Sequence, residues 1–235
     1  MLFKLFNDLG MGFNVNTIIC IAICVVIPYF IGSLNFGIIF SKMFYKEDVR
    51  ESGSGNAGAT NMLRTYGKKA GIFTFLCDGL KTAAAMALSY LIMPVRWIEM
   101  GMFIAGIACM VGHSFPAYYK FKGGKGVACF TVVVLMTSIR MGMWYLFVIL
   151  FAMFAILVIG TKFVSLGSII CSLVYPILLN RLNGGNDYTS IEIFAVIAGL
   201  FVVFQHRENL KRLLTGTENK ISLSKKKKAE ENKNV

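Results

Sequence analysis

Residues 127–160 read VACFTVVVLMTSIRMGMWYLFVILFAMFAILVIG, 34 positions whose apolar run is broken only by Arg140 and Gly142. One bilayer crossing takes roughly 20 residues, so the stretch is either one crossing with an excursion or two short ones turning at Arg140. The choice sets which side every later loop faces, and the distribution of Lys and Arg decides it. With a turn at Arg140, one side gathers residues 42–69 (six Lys/Arg), 120–125 (three), Lys162 and the segment from Arg207 onward (nine); the other holds Lys4, Arg96, Arg140 and Arg181. That is 19 against 4, with Lys81 left inside a span, whereas a single crossing gives 10 against 12. The reading is an all-α polytopic membrane protein of seven transmembrane helices, with an extracytoplasmic N-terminus and a cytoplasmic C-terminus.

The other apolar blocks are Thr17–Phe40, Ala70–Met93, Ile98–Phe115, Phe163–Leu179 and Tyr188–Phe204. The chain is 56% hydrophobic and 15% charged, against about 45–50% and roughly 25% for a soluble domain. A soluble globular enzyme, a disordered chain and a disulfide scaffold are thereby excluded. The net charge of +12 would suggest nucleic acid in a soluble protein; here it reads as loops facing an anionic cytoplasmic leaflet, with the lipid bilayer and not nucleic acid as partner. Cys20, Cys24, Cys77, Cys109, Cys129 and Cys171 lie in or beside apolar blocks with no CxxC, so neither a disulfide framework nor zinc is indicated. The first block is too long for a cleaved signal peptide and lacks a small-residue cleavage pattern. The chain divides into residues 1–16, an interfacial helix or frayed terminus; 17–206, the seven-helix unit; and 207–235, a cytoplasmic motif followed by a solvated tail carrying Lys225–Lys228.

The Gly-rich polar sequences cluster on the side read as cytoplasmic. The first runs from Asp48 through Arg50, Gly53-Ser54-Gly55-Asn56 and Gly58 to Asn61, the second is Phe121-Lys-Gly-Gly-Lys-Gly-Val127, and the third opens at His206-Arg-Glu-Asn209. Gly53, Gly55 and Gly58 match GxGxxG, but the dinucleotide fingerprint needs a preceding strand and a βαβ unit, which do not fit between two spans. Gly126 stands where a P-loop needs Ser or Thr. What remains is the shared physics: glycines turn backbone N–H groups inward and, with Ser54, Asn56 and Lys125, form an oxyanion nest, with Gly126 leading into a positive helix end. Asp78 and Lys81, three apart in the second span, share a face and form a structural ion pair that pins helices. Ser33 and Asn35 end the first span and Ser165 starts the sixth, all at depths that reach an inner-face site. His113 precedes Ser114-Phe-Pro116 and reads as a loop anchor or a catalytic group. His206 and Asn209 share a helix face, either as a solvent-facing end or as a general base beside an amide that positions a hydroxyl.

Together these elements resemble one family, the bacterial acyl-phosphate:glycerol-3-phosphate acyltransferases. The matching residues are Gly32-Ser33 with Phe36-Gly37, Arg50 to Asn56 with Gly58 to Asn61, Gly112 to Pro116, Lys122 to Val127, Val164-Ser165-Leu166, and His206 to Asn209 with Arg212-Leu213 and Gly216 to Glu218. The match runs from about residue 28 to 220. The resemblance implies an enzyme of the cell's inner (plasma) membrane, its active site facing the cytoplasm. It would move a fatty acyl group from acyl phosphate to the 1-hydroxyl of sn-glycerol 3-phosphate, giving 1-acylglycerol 3-phosphate and phosphate, with no cofactor, no metal and no acyl-CoA or acyl carrier protein donor. Carried over residue by residue, Ser33, Arg50, Lys125, His206 and Asn209 are expected to be catalytic. Ser54, Gly55, Asn56, Gly123, Gly124, Gly126 and Ser165 are expected to hold phosphate, and Asp78, Lys81 and Glu218 to be structural. Two departures are Asn35 in place of the family's usual Pro and Phe163 in place of its usual Tyr. Acyl-chain preference and oligomeric state are not implied. The rival reading is a transporter of a phosphorylated small molecule, but such proteins place their site near the midplane between internal repeats, and no repeat relates the two halves here.

Overall fold

The computed structural model describes residues 14–183 and 189–221; the N-terminal segment before Asn14, most of what was read as an interfacial helix, and the lysine tail lie outside the described residues. Ten α-helices and three short 3-10 turns carry the described chain, with no strand among the described residues. The helices are α1 (Val15–Ser33), α2 (Phe36–Tyr45), α3 (Ala59–Tyr66), α4 (Lys68–Ile92), α5 (Ile98–Ser114), α6 (Val127–Arg140), α7 (Trp144–Thr161), α8 (Val164–Leu182), α9 (Thr189–Gln205) and α10 (Arg207–Leu214).

The long block breaks at Met141–Met143, where Gly142 takes φ +72°, a left-handed conformation open to glycine at little cost. Among the described residues, five helical stretches are long and apolar enough to cross a membrane: Val15–Tyr45, Lys68–Ile92, Val95–Tyr119, Trp144–Thr161 and Val164–Leu182. Val127–Arg140 and Ile191–Gln205 are apolar but shorter. At 1.5 Å per residue, α6 is roughly 21 Å long, short of the roughly 30 Å hydrocarbon layer.

Helix α5 is the axis of the bundle, buried along most of its length and lined with Gly, Ala and Cys. Its small residues let α1 come within backbone contact: a Cβ at Gly32 would stand 2.2 Å from the Cys109 carbonyl oxygen, and one at Gly112 would stand 2.1 Å from that of Tyr29. Two reciprocal glycines therefore fix the α1/α5 crossing, as small residues do between helices in lipid. Helix α7 is the opposite case, with only Leu146 and Leu150 buried and a broad apolar face, including Val148, Phe151, Ile156 and Ile159, turned outward.

Two features were not expected. The first apolar block is two helices, not one, parting at Leu34–Asn35. Asn35 is fully buried and caps α2, its Oδ1 accepting the Ile38 N–H at 3.2 Å, while its Nδ2 donates to the His113 carbonyl at 3.3 Å. The segment taken as a plain loop between spans one and two also contains α3, and the C-terminal motif continues into α10. Both helices have eight residues with strongly one-sided apolar faces, too short and too polar for a span-length hydropathy window to register.

Candidate active site

The first polar loop is stitched together by one side chain from the helix that follows it. Asn61 on α3 accepts the Ser54 N–H at 2.8 Å and donates through Nδ2 to the carbonyls of Val49 and Ser52, each at 2.9 Å. Gly53 (φ +63°) passes so close that a Cβ would stand 2.3 Å from Asn61 Oδ1, so both its backbone angle and its surroundings require glycine. Asn56 accepts the Gly58 N–H at 3.1 Å and turns the chain into α3.

The second loop is held by α5. Gly123 N–H donates to the Ser114 carbonyl at 3.0 Å and Gly124 N–H to that of His113 at 3.1 Å. These N–H groups therefore satisfy a helix C-terminus. The expected oxyanion nest is not how these glycines are used: Gly123, Gly124 and, through Ser52, Gly55 all have their N–H groups engaged within the protein. Arg50 joins the two loops. Its Nε and Nη2 donate to Asp48 at 2.9 and 2.7 Å, and its Nη1 donates to the carbonyls of Tyr119 and Lys122 at 3.0 and 2.8 Å. The Arg50 hydrogen bonds hold the Asp48 carboxyl down at about 2.

Deeper in the bundle, the ammonium of Lys81 lies 2.7 Å from Asp78 Oδ1, 2.7 Å from the Leu34 carbonyl freed by the break after α1, and 3.0 Å from His113 Nδ1. The pair read from the i, i+3 spacing is formed, and it sits at the break between α1 and α2. Ser33, wholly buried, donates to the Tyr29 carbonyl at 2.9 Å and accepts the Ala117 N–H at 3.2 Å.

Between these groups and the C-terminal motif lies a cavity of about 350 Å³. Of the residues expected at the site, Ser54, Asn56, Lys125, Gly126 and Ser165 line it, as do His206, Asn209, Glu218 and Asp78. Ser33, Arg50, Gly55, Gly123, Gly124 and Lys81 are not among its lining residues. The first turns of α3 (Ala59, Thr60), α6 (Val127, Ala128) and α8 (Val164, Ser165) all open on it, and none of the three helices has a side-chain cap at its N-terminus. Uncapped N-terminal N–H groups carry partial positive charge and receive anions. Three cations, Arg64, Lys125 and Arg212, line the same space. The rest of the wall is oily, with Leu63, Ile72, Phe75, Leu76 and Phe154.

The polar end is wired through Glu218. Lys125 Nζ donates to Asn209 Oδ1. Asn209 Nδ2 donates to Glu218 Oε1 at 2.6 Å, Ser165 Oγ donates to the same oxygen at 2.8 Å, and Arg212 Nε donates to Oε2 at 2.8 Å. Burial pulls the Glu218 carboxyl upward, but hydrogen bonds from Asn209, Arg212 and Ser165 outweigh it and hold it below the ordinary glutamate value. Burial, together with the nearby Arg212 and Arg64, brings the Lys125 ammonium down to about 8. His206 Nδ1 lies 2.8 Å from the Val202 carbonyl; a carbonyl can only accept, so Nδ1 carries the proton and Nε2 a lone pair. Burial, with Lys125 adding to it, lowers His206 to about 4. Among the described residues no group of three or more His, Cys, Asp or Glu is gathered as a metal site would need.

Residues 22–216 match the model of the glycerol-3-phosphate acyltransferase family. The chain belongs to that family. A glycerol-3-phosphate acyltransferase of Thermoanaerobacter sp. (strain X514) is 42% identical over 196 residues, covering 83% of this chain and 93% of the relative. One from Bacillus velezensis is 38% identical over 205 residues, covering 86% and 97%. Among solved structures, the glycerol 3-phosphate form of PlsY (YgiH), an integral membrane glycerol 3-phosphate acyltransferase, superposes with a TM-score of 0.75 at 30% identity, covering 86% of this chain and 96% of that one. The lysophosphatidic acid form of PlsY superposes with a TM-score of 0.73. This acyltransferase is thus an integral membrane protein, and the region matched by the family model contains every expected site residue except Glu218.

Two residues on the cavity wall, Arg64 and Thr60, were not among the expected site residues. They are four apart on α3 and so share a helix face. The signal that places them together in the sequence is the one-sided apolar pattern of residues 59–66. His113, read as either an anchor or a catalytic group, both lines the cavity and carries the glycine loop on its carbonyl.

Proposed function

We propose that this family member transfers a fatty acyl group from acyl phosphate to the 1-hydroxyl of sn-glycerol 3-phosphate. The products are 1-acyl-sn-glycerol 3-phosphate and phosphate. The observation that carries this reading is a single cavity lined both by three uncapped helix N-termini with three cations and by oily side chains. Two phosphate-bearing substrates, one lipidic and one water-soluble, need both kinds of surface. The acyl carbon already carries a phosphate leaving group, so direct attack by the glycerol hydroxyl suffices without a covalent enzyme intermediate. Lys125 and the first turn of α6 would stabilise the developing oxyanion and the departing phosphate. Seven crossings, with the cavity mouth at the cytoplasmic face, are part of the same proposal. They are supported by the segregation of Lys and Arg and by the break at Gly142, with α6 thinning the bilayer around it.

The proton on the attacking hydroxyl has two acceptors to choose between. With His206 Nε2 as base, His206→Ala lowers turnover at least about 10²-fold. Near-normal turnover in that variant assigns the proton to the substrate's own phosphate, whose second ionisation lies near pH 6. Because His206 is neutral above about 4, it contributes no limb to the pH profile between pH 5 and 7. An acidic limb near 6 that persists in His206→Ala belongs to the phosphate. The direct test of the function is purified protein with acyl phosphate and labelled glycerol 3-phosphate, following lysophosphatidate. Uptake of the labelled compound into proteoliposomes with no acylated product would sink the enzyme reading in favour of a transporter.

A further inference from the structure

Asp78 belongs both to the buried ion network and to the cavity wall, and its two oxygens differ. Oδ1 takes the whole network: Lys81 Nζ at 2.7 Å, His113 Nδ1 at 3.3 Å and the Phe36 N–H at 3.5 Å. Oδ2 is buried and has no hydrogen-bond partner. A buried carboxylate oxygen without a donor is rare in folded proteins and calls for an explanation. The residue is 1% exposed, and it lines the cavity that also holds Ser54, Lys125 and His206.

The chemistry of that oxygen narrows what it can receive. It repels phosphate, so it is no part of the anion-binding side. The ammonium of Lys81 at 2.7 Å stabilises the ionised carboxylate and would lose its partner if Asp78 took a proton, so Oδ2 is suited to accept a hydrogen bond without accepting the proton. A neutral hydroxyl fits that description. Under the proposed function, the acceptor substrate brings two hydroxyls. The one on C1 must shed its proton on attack and needs a group such as His206 Nε2 or a phosphate oxygen. The one on C2 keeps its proton throughout.

We infer that Asp78 Oδ2 accepts the hydrogen bond of the C2 hydroxyl of glycerol 3-phosphate, which makes Asp78 a specificity-determining residue as well as the partner of Lys81. This rests on the acyltransferase reading above. A site that hydrogen-bonds a substrate hydroxyl rejects analogues lacking it by large factors, up to about 10⁴–10⁵. Dihydroxyacetone phosphate has the same length and charge but presents a carbonyl at C2, whose lone pairs would face those of Oδ2.

The experiment measures kcat/KM for glycerol 3-phosphate and for dihydroxyacetone phosphate with purified wild-type protein and with Asp78→Asn. The wild type is expected to favour glycerol 3-phosphate by about 10²-fold or more. Asp78→Asn, whose amide N–H donates to a ketone, is expected to narrow that ratio at least tenfold. A ratio that stays within twofold of wild type while both substrates slow together would mean a purely structural Asp78 and overturn the inference. Asp78→Asn leaves Lys81 as an unpaired buried charge, so the double variant Asp78→Asn/Lys81→Gln is measured alongside and is expected to show the same narrowing. One arm needs no variant: 1,3-propanediol monophosphate lacks the C2 hydroxyl, and its use by wild-type protein as efficiently as glycerol 3-phosphate would also overturn the inference. Failure to acylate glycerol 3-phosphate in the wild type would instead defeat the underlying function, so the two failures are distinct.

Discussion

Replacing Lys125 with methionine is expected to lower turnover by about 10²–10³-fold while leaving the melting temperature in detergent unchanged or raised. The two halves of that result have one cause. Lys125 is half-buried beside Arg212 and Arg64, an arrangement that disfavours its charge in the free protein. Methionine fills the same space and removes both the burial cost and the repulsion, at the loss of the Asn209 hydrogen bond. With a phosphate in the cavity, the same charge becomes an asset, and its value grows in the transition state as negative charge builds on the departing group. The free protein should also show an alkaline limb in kcat/KM near pH 8, because Lys125 titrates at about 8 and loses its proton as pH rises through that value. Lys125→Arg, which keeps its charge, should move the limb upward even where absolute activity falls. A methionine variant that turns over within tenfold of wild type, or that melts well below it, would remove Lys125 from the centre of the mechanism.

The five long apolar helices were readable because burial in lipid demands long apolar runs, and the break within residues 127–160 was readable because splitting the block there segregates Lys and Arg. The break at Leu34–Asn35 was not. A hydropathy window sees Thr17–Phe40 as continuous, and the groups that stabilise the break, Lys81 Nζ on the Leu34 carbonyl and the His113 carbonyl on Asn35 Nδ2, come from two other helices. The same limit applies to the site. Residue types could be read from the sequence, so Ser54, Asn56, Lys125, Ser165, His206 and Asn209 were named and do line one cavity. The use made of each N–H could not be read. Glycine loops that looked like phosphate nests give their N–H groups to the carbonyls of His113 and Ser114, and only the folded path of α5 reveals those acceptors. The uncapped N–H groups on the cavity lie instead at the starts of α3, α6 and α8, and α3 is too short and polar to stand out in a span-length window.

Arg50→Ala is expected to reduce kcat/KM at least about 10²-fold although the guanidinium does not line the cavity. A misplacement of about 1 Å at a catalytic group is enough for a loss of that size, and Arg50 controls the path of the loop that carries Lys125. Its Nη1 grips the carbonyls of Tyr119 and Lys122, on either side of Lys120 and Phe121, two consecutive non-glycine residues at φ +58° and +56°. Such angles are costly for residues with a Cβ and persist only when the surroundings impose them. Without the clamp, the Tyr119–Lys122 turn can relax, and Gly123, Gly124 and Lys125 move with it. Asp48 supplies the decisive control. It touches Arg50 through both oxygens and does not line the cavity, so Asp48→Ala should reproduce most of the Arg50→Ala defect. The double variant should be little worse than either single one, a coupling that marks residues acting as one unit. The charge-retaining Arg50→Lys cannot bridge a carboxylate and two carbonyls at once and should recover little. If Arg50 met substrate phosphate directly, Asp48→Ala would free its charge and preserve activity, and the two single defects would add.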